Sequence, residues 1–139
     1  MKFFDNLLQR YPQLKPCLKS IQNATDILES AFRAQKKLLI AGNGGSAADA
    51  GHISGELLKA FCCRRELPEA VKNRLPLEVA NQLQGALPAI ALPDFVSFHT
   101  AYANDCSAEF NFAQLVLALG QPGDVLWTLS TSGNSKNIL

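Results

Sequence analysis

The feature that most constrains this chain is a short apolar run that feeds directly into a cluster of glycines. Residues 37–41 (Lys-Leu-Leu-Ile-Ala) lead into Gly42-Asn43-Gly44-Gly45. Ser46-Ala47-Ala48-Asp49 then reads as a helix start, with Ser46 as N-cap and Asp49 three residues on. A run of this length, bounded by Lys36 and a glycine turn, suits a strand buried on both faces of a parallel sheet. The helix behind it is expected to reach about Phe61. A second strand is expected at 86–92, with Pro88 near its start, where a missing N–H is tolerated. A third is expected at 124–129. Helical stretches at 95–102 and 109–119 lie between them, the latter ended by Gly120 and Pro122. Strands alternating with helices predict an α/β fold, a doubly wound parallel sheet.

Ahead of the first strand, residues 1–35 read as a helical arm. Residues 5–10 form a short helix stopped near Pro12. Pro16 fits a second helix start, and Leu18, Ile21, Ala24, Thr25, Leu28 and Phe32 follow at helical spacing. The arm either covers the sheet or meets another subunit. Residues 64–83 carry Pro68 and Pro76 and read as a polar excursion with a weakly helical middle. Within 139 residues only three strands can be placed, fewer than the five or so of a doubly wound sheet. Residues 36–139 are therefore expected to be a domain truncated at its carboxyl end. About 50 further residues would complete it at ordinary element lengths, and the third strand would have an unpaired edge.

Composition narrows the class. Charged residues make up 18% of the chain and the formal net charge is +1, so no global field draws nucleic acid or an anionic membrane. No run approaches the roughly 18 apolar residues of a membrane span, and the start turns polar too soon for a signal peptide. A cytoplasmic protein is expected. Cys17, Cys62, Cys63 and Cys106 lack metal or redox spacing and read as reduced thiols.

Two loops carry the chemistry, each after a strand and opening a helix. One is Gly42-Asn43-Gly44-Gly45-Ser46; the other is Ser130-Thr131-Ser132-Gly133-Asn134-Ser135. Amides at a helix N-terminus point outward unpaired, and the helix dipole adds positive character. Hydroxyls add donors without bulk, so the second loop suits a phosphate. Both loops fall at the carboxyl ends of strands, where open α/β sheets bind ligands. Gly42-x-Gly44-x-x-Ala47 also fits a dinucleotide fingerprint. The acidic strand end required about 20 residues on is missing, however, since that stretch is Cys-Cys-Arg-Arg-Glu-Leu-Pro. No Gly-Lys-Ser/Thr of a nucleotide P-loop is present.

Other polar residues have plainer readings beside functional ones. His52 and Glu56, four apart on the first helix, share a face. They could make a surface contact, share a proton, or hold part of a metal site, although zinc usually takes three or four ligands. Asn104-Asp105 reads as a turn, His99 as a surface or core histidine, and Arg64-Arg65 as a solvated pair or an anion contact.

As a set, these residues resemble the SIS (sugar isomerase) family, and within it the phosphoheptose (sedoheptulose 7-phosphate) isomerases. The likeness begins at 39–50 with His52 and Glu56. It continues through 87–92, Ala103-Asn104-Asp105 and Phe112-Ala113-Gln114. It closes with 120–126 and 130–135. The resemblance implies a flavodoxin- or Rossmann-like three-layer αβα fold that isomerises a sugar phosphate between aldose and ketose through an enediolate. It implies a homotetramer with sites at subunit interfaces. Ser130, Thr131, Ser132 and Ser135 would hold the phosphate, and Asn43, Gly44, Gly45, Ser46, Asn104 and Asp105 would line the sugar. Glu56 would be the catalytic base, and His52 with Glu56 would supply ligands where members bind zinc. A glutamine and a histidine of the family site would fall beyond Leu139. The family also includes non-catalytic phosphosugar sensors and an adaptor that binds a replication initiator, the alternative to an enzyme.

Overall fold

The computed structural model describes residues 2–139. Its arm is helix α1 (Lys2–Arg10), a 3-10 turn over Pro12–Cys17, and helix α2 (Leu18–Arg33). Pro16 lies inside the tight turn and not at the helix start, so α2 begins two residues later than the prolines suggest. Then come β1 (Leu38–Gly42), α3 (Gly45–Leu58), short α4 (Glu69–Lys72) and α5 (Leu77–Gln82), and β2 (Ala89–Ala91). Helices α6 (Val96–Asp105) and α7 (Asn111–Leu119) precede β3 (Val125–Leu129).

The three strands form one parallel sheet in the order β2-β1-β3. The apolar run of β1 is therefore central, and its alternation divides the core in two. Leu38 and Ile40 pack with Ala50, Ala89 and Ala91 on the side of α2 and α3, where Leu28 and Phe32 also rest. Leu39 and Ala41 pack with Leu92, Phe112 and Leu115 on the side of α6 and α7. This is the expected αβα layering. Leu38, Leu39 and Ile40 are at most 1% exposed, and burying each such side chain stabilises by about 1.5–3 kcal/mol.

The strand at 86–92 is shorter than its sequence suggests. Leu87 N–H is drawn to Leu57 O at 3.0 Å, and Leu92–Asp94 coils into a 3-10 turn around Pro93, leaving three residues to pair. The buried Ser54 hydroxyl donates to Ala89 O at 3.0 Å and fastens α3 to this strand. The excursion is stitched down by its arginines. Arg64 Nη2 donates to Asn81 O (2.9 Å) and Leu83 O (3.0 Å), and Arg65 donates to Gly85 O (2.9 Å) and Leu57 O. Arg64 is exposed and Arg65 half-buried, and the pair has a structural role as well. It satisfies carbonyls that the irregular backbone leaves open.

β3 contrasts with β1. Leu126 is 47% and Trp127 39% exposed, and β3 has a neighbour on one side only among the described residues. Its start is tied to β1 by Asp124. That carboxylate accepts from Lys37 N (3.0 Å), Lys37 Nζ (2.5 Å) and Gln121 N (2.7 Å). The Lys37 side chain, helped by the backbone donors, outweighs desolvation and holds the Asp124 pKa at about 2, against an ordinary 3.8.

Candidate functional site

The first glycine loop is shaped by steric need. A Cβ on Gly42 would lie 2.6 Å from Ser46 O, so only glycine lets the helix start pack onto the strand end. Gly44 has φ of 55° and is itself the N-cap; α3 begins at Gly45. Ser46 is therefore inside the first turn and not the N-cap, because the left-handed glycine turns the chain earlier. Ser46 N–H donates to Asn43 O at 3.0 Å, and Ala47 N–H to Gly44 O at 3.1 Å. Asn43, Gly44 and Gly45 are exposed at the carboxyl end of the central strand.

The second loop is held by its own hydroxyls. Ser130 Oγ accepts from Gly133 N at 3.1 Å and lies 3.2 Å from Ser135 Oγ. Ser132 Oγ accepts from Asn134 N at 3.2 Å, and Gly133 has φ of 67°. Ser130 Oγ and Ser132 Oγ thus each take an amide proton from the loop, and one hydroxyl of the Ser130–Ser135 pair donates to the other, which leaves the remaining protons for another acceptor. Thr131, Ser132 and Gly133 stand exposed. The loop is already curled before any ligand arrives.

The loops meet because β1 and β3 are neighbours, with Gly42 in register with Leu129. The contact is a pair of amides: Asn43 Nδ2 donates to Asn137 Oδ1 at 2.7 Å, and Asn137 Nδ2 donates to Asn43 Oδ1 at 3.1 Å. Asn137 also donates to Asn111 Oδ1 at 3.3 Å. Neither Asn137 nor Asn111 is legible as a site residue in the sequence. An asparagine two residues past a serine loop has no distinctive spacing, and its partner is 94 residues away.

Farther along α3, Glu56 is half-buried, and its buried Oε2 has no hydrogen-bond partner among the described residues. Such an orphan oxygen costs about 1–3 kcal/mol unless something else meets it. His52 is exposed on the same helix. Among the described residues no three His, Cys, Asp or Glu side chains gather as a metal set. His52 and Glu56 alone do not fit a zinc ion, which takes at least three protein ligands. Asn104 and Asp105 are not in a loop: they close the last turn of α6, exposed, with Asn104 Nδ2 donating to Asp105 Oδ1 at 2.7 Å. Among the described residues neither bonds to the glycine loops. No helix among the described residues is long and apolar enough to cross a membrane.

Comparison with known proteins adds three findings. A family model described as "SIS domain" matches residues 2–139. The chain is 42% identical over 120 residues to a phosphoheptose isomerase of Synechocystis sp., covering 86% of this chain and 52% of that protein. It is 39% identical over 134 residues to the phosphoheptose isomerase of Crocosphaera subtropica, covering 96% and 58%. Among solved structures, a phosphoheptose isomerase from Francisella tularensis superposes with a TM-score of 0.70 at 30% identity, covering 99% of this chain and 62% of that one. One from Neisseria gonorrhoeae gives 0.61 at 27% identity, covering 96% and 64%. The chain thus spans about half the length of the curated relatives it matches.

Proposed function

This chain belongs to the SIS-domain family, and from that premise we propose that the protein is a phosphosugar isomerase acting on a ketose phosphate such as sedoheptulose 7-phosphate. One observation carries the reading. Two loops, one built of glycine and the other of serine and threonine, open at the carboxyl ends of adjacent parallel strands and are joined by the Asn43–Asn137 pair.

In this reading Ser130, Thr131, Ser132 and Ser135 take the phosphate, with loop amides and hydroxyl protons as donors. Asn43, Gly44, Gly45 and Ser46 line the sugar's reacting end, and Asn104 and Asp105 approach it from the end of α6. Aldose–ketose exchange moves a proton between adjacent carbons. A base removes the proton from the hydroxyl-bearing carbon beside the carbonyl, giving an enediolate. The proton then returns to the neighbouring carbon as the hydroxyl proton shifts between oxygens. Glu56 is the candidate base, and its buried oxygen, without a hydrogen-bond partner among the described residues, supports that role. His52 and Glu56 would be two of the ligands of a zinc ion, with the others from outside the described residues. The same reading suits a cytoplasmic homotetramer whose sites lie between subunits. Leu28 and Phe32 support the core of their own chain, so Leu14, Leu18 and Ile21 are the better candidates for such a contact.

The test is direct. Incubated with sedoheptulose 7-phosphate, the intact protein should form the aldose heptose phosphate, detectable by NMR of the anomeric protons. Tight binding without conversion would replace the isomerase with a phosphosugar sensor on the same loops.

A further inference from the structure

His99, a residue with no assigned role, ends a chain of hydrogen bonds that reaches the first glycine loop. Its Nε2 lies 2.8 Å from Leu92 O, and its Nδ1 lies 3.0 Å from Asn111 Nδ2. Asn111 Oδ1 accepts from Phe112 N–H at 2.7 Å and from Asn137 Nδ2 at 3.3 Å. Asn137 then pairs with Asn43 through both amide atoms. The ring of His99 is set edge-on to Phe98 and Phe112, at centroid distances of 5.6 and 5.1 Å.

The direction of every bond in this chain is dictated by two groups that cannot change role. A carbonyl such as Leu92 O only accepts, so His99 Nε2 carries the proton and Nδ1 is left as an acceptor. A backbone amide such as Phe112 N–H only donates, so Asn111 must turn its oxygen toward it and its NH2 toward His99. With Asn111 Oδ1 presented, Asn137 must offer its NH2, and Asn43 must answer with Oδ1 to that group and Nδ2 to Asn137 Oδ1. A flip of the Asn43 amide would place donor against donor unless Asn137 and Asn111 flipped too, and the Phe112 amide forbids that. Side-chain amides free on a loop have no such constraint.

We propose that His99 and Asn111 are positioning residues: through Asn137 they fix which way the Asn43 amide faces and hold the serine loop against the glycine loop. The consequence for substrate rests on the isomerase reading above, in which Asn43 lines the sugar. A pre-set amide then meets a sugar oxygen without reorganising.

The test uses intact protein and two readouts. The Asn43 side-chain NH2 resonances are identified in 15N spectra of ligand-free protein by their loss in Asn43→Ala, and affinity is measured with sedoheptulose 7-phosphate. His99→Phe keeps the aromatic packing and removes both hydrogen bonds. It should shift the Asn43 NH2 resonances and weaken binding about fivefold, the worth of one net hydrogen bond. Asn111→Asp keeps the acceptor oxygens and removes the donor to His99, so it should move the same resonances by less. In an Asn43→Ala background His99→Phe should cost no further affinity, a coupling that loss of mere packing would not produce. Asn43 resonances unmoved by both folded variants would overturn the proposal, as would fully additive affinity losses. Shifted resonances in a protein with no affinity for the sugar phosphate would support the positioning chain and count against the substrate reading alone.

Discussion

The two loops of the candidate site sit on very different foundations. The glycine loop leaves β1, whose residues are buried on both faces, and Gly42 against Ser46 leaves its path little freedom. The serine loop leaves β3, whose middle residues are exposed and which has one strand neighbour among the described residues. The first loop is positioned by packing. The second is positioned by polar ties: Asp124 with Lys37 at the foot of its strand, its own serine oxygens, and Asn137 at its far end. Packing resists pH and salt, whereas polar ties are tunable, so the phosphate cradle is the half of the site most open to conditions.

The largest expected contrast lies in the strands. Ile40→Ala should cost about 2–5 kcal/mol in urea unfolding, as buried large-to-small changes do. Leu126→Ala should stay within about 0.5 kcal/mol, as for a surface position. A loss at Leu126 matching that at Ile40 would mean that β3 is covered in solution and would erase the contrast.

The glycines come next. Gly42→Ala forces a Cβ onto backbone and should cost about 1–3 kcal/mol, displacing the start of α3 and impairing sugar-phosphate binding. Gly133→Ala meets open space and carries only the left-handed backbone penalty, about 1 kcal/mol. Equal effects on thermal unfolding and on ligand affinity would remove the distinction between a packed loop and a tied one.

The Asp124 tie comes last because only acid exposes it. Its folded pKa, about 2, lies below the ordinary 3.8, so the ionised group stabilises the fold. That contribution is complete above about pH 4 and is lost as pH falls through 2. Urea midpoints measured across this window should fall for the natural protein, and Asp124→Asn should lack this component. An identical pH slope in the variant would remove Asp124 as the anchor of β3.

How much of this was legible in the sequence follows the same division. Residues 38–42 and the helix behind them could be read because burial on two faces writes an uninterrupted apolar run, and glycine marks the turn. The loops' place at the carboxyl ends of strands followed from alternation, but that the two strands are neighbours did not. Boundaries failed where local geometry decided them. Gly44, by adopting a positive φ, started α3 ahead of Ser46; Pro93 shortened β2; and α6 ran on through Asn104 and Asp105 because no glycine or proline stopped it. The arginines of the excursion looked like surface charge, since nothing in sequence reveals which carbonyls a loop leaves unpaired. The chain from His99 to Asn43 was invisible for a stronger reason. It joins four residues scattered from the first loop to the last turn, and only the β1–β3 pairing brings them together.

The measurement that most directly tests the central claim is turnover of sedoheptulose 7-phosphate by the intact protein beside its Glu56→Gln variant. The account predicts conversion by the natural protein. In the variant it predicts a loss of about 10²–10⁴-fold, the usual worth of a general base, with affinity for the sugar phosphate nearly retained. Undiminished turnover in a folded Glu56→Gln variant would contradict it.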